Sequence, residues 1–123
     1  MDYDEKEKLV NNPNTPASVF EKLAKDKDMY VRYVVASNPN TPVKLLKIFA
    51  EDKEWCVRYG VAENPSAPVK VIEELTKDKD MYVRRGVAGN PSAPDYILSE
   101  MVLMDEDVYV RKYATINLNE RRV

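Results

Sequence analysis

A five-residue phrase limits what this chain can fold into. Asn12-Pro13-Asn14-Thr15-Pro16 returns as Asn38-Pro39-Asn40-Thr41-Pro42, then as Asn64-Pro65-Ser66-Ala67-Pro68 and Asn90-Pro91-Ser92-Ala93-Pro94, each copy 26 residues after the last. Val31-Arg32, Val57-Arg58 and Val83-Arg84 keep the same 26-residue period, and Val110-Arg111 follows after 27. Ala36, Ala62 and Ala88 each stand four residues after an arginine of this row, and the stretch from Lys25 to Arg32 recurs unchanged from Lys77 to Arg84. A period of this length marks a stacked repeat array, in which each unit covers the apolar face of the next. The repeats run 12–37, 38–63, 64–89 and 90–116, with the extra residue of the last expected near Met101 to Met104. Asp2 lies 26 residues before Asp28, and Leu9-Val10 lie 26 before Val35-Ala36. Residues 1–11 therefore read as an N-terminal half-repeat, a capping helix with charged outer positions. Residues 117–123 read as a C-terminal tail, with Asn117-Leu118-Asn119 standing where a fifth Asn-Pro would begin.

Each repeat carries two helical patterns. The first is predicted to start at Pro16, Pro42, Pro68 or Pro94, since proline suits the first helical position. Thr15 and Thr41 would be its N-caps, and Ala67 and Ala93 would leave the later copies less well capped. Its apolar stripe is Val19, Phe20 and Leu23, then Leu45, Leu46 and Phe49, then Val71, Ile72 and Leu75. The second pattern is predicted to start at Asp28, Glu54, Asp80 or Asp107, where an acid meets the positive end of the helix dipole. It buries Val31, Val34 and Val35 and their counterparts, and it ends at Asn38, Asn64 or Asn90, expected in a left-handed cap before proline. Helices of about three turns are marginal alone, so the pairs must stack. Gly60 and Gly86, with the alanines at 36, 62 and 88, predict close approach between neighbouring units. The fold expected for 1–123 is a single all-α domain, an α-solenoid of four 26–27-residue two-helix repeats behind an N-terminal half-repeat cap.

The order Asn-Pro-x-Thr-Pro, apolar helix, Asp-x-Asp, Val-Arg and Ala-x-Asn-Pro (Ala36-Ser37-Asn38-Pro39 in the first copy) resembles the leucine-rich repeat variant family, close to the HEAT-like helical repeats. The resemblance covers nearly the whole chain. It implies a right-handed superhelix of paired helices that serves as a binding scaffold. Some repeats of that family replace one α-helix by a short 3₁₀ segment, and the longer repeat here leaves room for two α-helices. Some relatives carry an N-terminal cysteine cluster for an iron–sulfur centre. This chain has no equivalent cysteines, so no cofactor is expected.

Composition removes most enzyme classes. There is no histidine and a single cysteine, Cys56, which excludes a histidine base and an intrachain disulfide and leaves little for a metal site. Lys and Arg number 19 against 21 Asp and Glu, and the two signs are interspersed, which argues against a nucleic-acid partner. No apolar run approaches the roughly 20 residues that span a bilayer, so no membrane partner is expected. The start, MDYDEKEKLV, lacks a signal-peptide pattern, so the expected location is cytoplasmic.

Three rows of side chains recur with the repeat. Arg32, Arg58, Arg84 and Arg111 are expected to pair with Asp26, Asp52, Asp78 and Asp105 of the same or a neighbouring repeat. That pairing, with Asn38, Asn64 and Asn90, forms a structural ladder rather than a ligand site. The third row lies on another face of the second helix, at 100° per residue: Tyr30 and Tyr33, then Cys56 and Tyr59, then Tyr82 and Arg85, then Tyr109 and Lys112. Tyr and Arg are enriched at interface hot spots, so Tyr30, Tyr33, Tyr59, Tyr82, Arg85, Tyr109 and Lys112 are the candidate partner-binding residues. The sequence leaves open whether this face is concave. The expected function is a protein- or peptide-binding scaffold, monomeric or weakly self-associating and not an enzyme. The alternatives are a small-ligand or enzymatic domain using groove carboxylates or Cys56, and a purely structural repeat unit.

Overall fold

The computed structural model describes residues 1–122, and among them there are nine α-helices and no strand. They are α1 (Tyr3–Asn11), α2 (Ala17–Leu23), α3 (Met29–Ser37), α4 (Val43–Phe49), α5 (Trp55–Glu63), α6 (Val69–Leu75), α7 (Met81–Gly89), α8 (Asp95–Met104) and α9 (Val108–Glu120). All but α9 are ten residues or shorter, below the length that sustains a lone helix. Packing must hold them. The most extensive contacts join α3 to α5, α5 to α7 and α7 to α9, the second helices of successive repeats, together with α8 to α9 inside the last one, and α1 lies against α3 more lightly. The backbones of α2, α4 and α6 approach mainly the second helices on either side of them. One continuous core results, with Val35, Leu46, Val61, Ile72, Val87 and Leu98 fully buried along its length.

Two features of the helix ends correct the sequence reading. Asn38, Asn64 and Asn90 are extended, with φ near −79°, −72° and −73°, not left-handed. The proline that follows each one disfavours helical backbone in the residue before it and pushes it to the β region. At the other helix starts the prolines are N-caps rather than first helical residues, and no side chain caps any of the four. The Thr15 and Thr41 hydroxyls donate backward instead, to the Leu9 and Val35 carbonyls of the preceding helix. The copies with alanine are therefore no worse capped than those with threonine. Asp28, Asp80 and Asp107 do cap the second helices, accepting from the backbone N–H of Tyr30, Tyr82 and Val110. Glu54 does not, since its longer side chain is no match for that geometry.

The inserted residue of the last copy falls in α8. Met101 is buried where Leu75 is, but the helix runs on to Met104, three residues longer than α6. The segment expected as a tail from 117 is instead the last turn of α9 as far as Glu120. Leu118 stands where the other copies have proline, so the backbone keeps its N–H and the helix continues. Val123, also placed in that tail, lies outside the described residues.

The glycines of the second helices mark the tightest crossing. A Cβ on Gly86 would stand 2.9 Å from the Ala62 Cβ and 3.1 Å from the Tyr59 ring, and one on Gly60 would stand 3.0 Å from the Ala36 Cβ. Gly89, in the same helix as Gly86, has nothing within 4 Å of such a Cβ. Alanine gains about 1 kcal/mol over glycine inside a helix, whereas overpacking a core costs about 1–3 kcal/mol. Gly86→Ala is therefore expected to destabilise the fold by about 1 kcal/mol, and Gly89→Ala to be neutral or stabilising. Urea titration of the two variants would separate them. Equal midpoints would mean the crossing at Gly86 is not tight.

Candidate functional site

Polar ladders run along both ends of the second helices. At their C-terminal ends, the Asn64 side-chain amide donates to the carbonyls of Ala36 and Asn38, at 2.8 and 2.9 Å. Asn90 repeats this one copy later on Ala62 and Asn64, and Asn117 on Ala88 and Asn90. Asn38, the first of the row, donates to Val10 and to the Asn11 side chain. The amide oxygens of Asn38, Asn64 and Asn90 accept the backbone N–H two residues on, so each closes its own turn and grips the previous copy.

At the N-terminal ends the arginines do the equivalent. Arg32, Arg58 and Arg84 each bridge forward to an acid of the next copy, Asp52, Asp78 and Asp105, at 3.0, 2.8 and 3.0 Å. Each also donates from Nη1 to a main-chain carbonyl of its own copy, at Asp26, Asp52 and Asp78. Arg111 keeps only the second kind of bond, to the Asp105 carbonyl. Asp26 takes Lys6 as its cation, at 2.6 Å. Lys6 stands 26 residues before Arg32 and is a rung of the ladder that the arginine pattern hid. Hydrogen bonding to Lys6 holds the Asp26 carboxyl below the usual carboxylate range, and desolvation by burial works against it. Among the described residues no buried side-chain nitrogen or oxygen lacks a partner. Both ladders bond one copy to the next and so hold the helices together.

Between the ladders lies a half-open groove of about 650 Å³ on the second helices α3, α5, α7 and α9. Of the tyrosine row, Tyr30, Tyr33, Tyr59, Tyr82 and Arg85 line it. Tyr109 and Lys112 do not. Tyr113 instead supplies the last ring of the groove, from the position that Gly60 and Gly86 hold in earlier copies. Tyr109 packs at 6.3 Å from Tyr113 and faces Arg85, and Lys112 is exposed. Besides Tyr113, five lining residues were not among the partner-binding candidates: Trp55, Cys56, Glu63, Gly86 and Gly89. The signal for Trp55 and Glu63 was variation between copies. Trp55 stands where the other copies have Met29, Met81 and Val108, and Glu63 where they have Ser37, Gly89 and Ile116.

The rings form a connected surface. Tyr33 and Tyr59 stack at 6.4 Å with 12° between their planes, and Trp55 reaches Tyr59 at 6.4 Å and Tyr82 at 5.3 Å. Tyr30, Trp55 and Tyr82 remain exposed, at 57, 44 and 46%. Tyr33 donates its hydroxyl to Glu63 at 2.8 Å. Burial, then the Glu63 carboxylate, push the Tyr33 phenol well above its ordinary pKa, and the same two causes raise Tyr59. Both stay protonated donors across the physiological range. Arg85 bridges Asp107 at 2.9 and 3.1 Å and lies over the rings of Tyr82 and Tyr109, 4.9 and 4.6 Å from their centroids. Its hydrogen bonds hold the Asp107 carboxyl below its usual range. Burial pushes the Cys56 thiol up, with Glu54 adding to the effect, which disfavours the reactive thiolate.

Among the described residues no helix is long and apolar enough to cross a membrane, and no three His, Cys, Asp or Glu side chains group as metal ligands. No family model, curated protein or solved structure matches the chain.

Proposed function

We propose that the chain is a cytoplasmic, non-catalytic scaffold that binds a segment of another protein in the tyrosine-lined groove. In this reading the fold is a right-handed α-solenoid of four repeats, 12–37, 38–63, 64–89 and 90–116, capped by 1–11, as the resemblance to the leucine-rich repeat variant and HEAT-like families implies. The recurrence of both ladders at the repeat period supports it. So does the closer approach of the second helices, which favours their face as the inside of the curve. The observation that carries the functional reading is the groove itself. Rings contributed by successive helices line a single concavity, and several remain exposed. A monomeric protein seldom leaves such a cluster uncovered without use, and large aromatic side chains are the usual anchors of interfaces.

A peptide-display selection against the immobilised protein tests this. Sequences selected on the wild type are expected to bind Tyr82→Ala about tenfold more weakly, the effect of losing one interface anchor. Tyr82 is exposed and outside the core but touches Trp55 and Arg85, so the variant should lose about 1 kcal/mol and its melting temperature fall by several degrees at most. Equal binding by the two proteins would remove the groove from consideration.

A further inference from the structure

Resting on that groove reading, we infer that the occupant is an extended peptide segment that inserts a lysine or arginine side chain among the rings, with its charge directed to Glu63. Four observations point this way. First, the ring faces of Tyr33, Trp55, Tyr59 and Tyr82 carry the negative side of the aromatic quadrupole, which attracts cations over anions. Second, the lining holds two ionised side chains, and one of them is already compensated. Arg85 is spent on Asp107 and on two ring faces, so the charge left for a ligand is the Glu63 carboxylate. Glu63 has no cationic partner among the described residues, and its hydrogen bond comes from the neutral Tyr33 hydroxyl.

Third, Glu63 is the last residue of α5, at the negative end of the helix dipole. A carboxylate there opposes the dipole and stabilises nothing locally, and the other copies have Ser37, Gly89 and Ile116 at that position. The one structural return of Glu63 is the neutral Tyr33 hydrogen bond, which an uncharged amide would also accept, so the charge itself is where a binding role is expected. Fourth, the protein already shows what these rings accept. The Arg85 guanidinium sits over Tyr82 and Tyr109 with a carboxylate at its edge, and a ligand cation over the Tyr33 and Tyr59 rings beside Glu63 would meet the same kinds of group. A groove of about 650 Å³ has room for such a side chain and for the residues that flank it.

The peptides selected on the wild-type protein supply the probe. They are expected to be enriched in Lys or Arg at one position. A synthetic copy should change the fluorescence of Trp55, the one tryptophan in the chain, with an affinity that falls as salt rises. Replacing its cation by norleucine, or the protein's Glu63 by glutamine, should each weaken binding about tenfold. Glu63→Gln can still accept from Tyr33 and relieves the helix end, so its melting temperature should not fall. Two results would overturn the inference. If selected peptides perturb Trp55 but bind equally well with norleucine and to Glu63→Gln, the cation is not recognised, although the groove is. If the selection yields no peptide, or none that perturbs Trp55 or is weakened by Tyr82→Ala, the groove reading falls and the inference with it.

Discussion

Replacing Asn64 by alanine is expected to destabilise the protein by about 2–3 kcal/mol, out of a total of about 5–15 kcal/mol for a domain. The side chain is fully buried and makes three hydrogen bonds. Alanine strands the Ala36 carbonyl and the Ser66 N–H, whereas the Asn38 carbonyl keeps the Thr41 N–H at 3.1 Å. Each buried group left without a partner costs about 1–3 kcal/mol, with the lower figure where water can enter beside Ser66. Asn64→Asp keeps the shape but turns an oxygen toward two carbonyls and buries an unpaired charge, so at pH 7 it should cost more than alanine. Asn38→Ala should cost less than either, since Asn38 is slightly exposed and shares its amide with the Asn11 side chain. Urea midpoints of the four proteins, wild type included, check the order. A loss at Asn64 of under 1 kcal/mol would mean that the carbonyls find other donors and that the ladder adds little.

How much of this was legible in the sequence depends on which physical constraint each residue answers to. The 26-residue period carries over directly, because ladder residues of adjacent copies must meet if the copies stack alike, and so Arg58 reaches Asp78 as Arg32 reaches Asp52. Gly60 and Gly86 were legible for the same reason: a missing side chain at a fixed register leaves room for the next backbone. The turns were less so. Asparagine tolerates a left-handed cap, but the proline after it has the stronger preference and decides the backbone. Threonine could have capped forward and instead donates backward, a choice set by where the preceding helix ends. The groove was legible only as a face. Helical periodicity says that Tyr33, Tyr59 and Arg85 share a row, but not how far each side chain reaches. Glu63 entered the site because its side chain reaches the Tyr33 hydroxyl of the neighbouring copy. Tyr109 does not line it, and the last copy instead carries Tyr113 where the earlier copies have Gly60 and Gly86.

The same logic makes Arg58→Ala the most costly change in the arginine row, at about 3 kcal/mol. Arg58 is 8% exposed, the one arginine of its row that is buried, and it lies 2.8 Å from Asp78 while its Nη1 satisfies the Asp52 carbonyl at 2.7 Å. Truncation strands both. The Asp78 carboxylate would retain the Asp80 N–H at 2.9 Å, which holds the cost near the lower end of the range for breaking a buried pair. Lysine keeps the charge but cannot supply Nε and two terminal nitrogens in a planar fork, so Arg58→Lys should recover no more than about half of the loss. Arg111→Ala removes a bond to one carbonyl and no acid, and it should cost about 1 kcal/mol or less. In the double mutant Arg58→Ala, Asp78→Ala no charge is left stranded, so its destabilisation should fall well short of the sum of the two single changes. If Arg58→Ala proved no more harmful than Arg111→Ala, the forward bridge to the next copy would not hold the repeats together. Their cohesion would then rest on the apolar core and the asparagines alone.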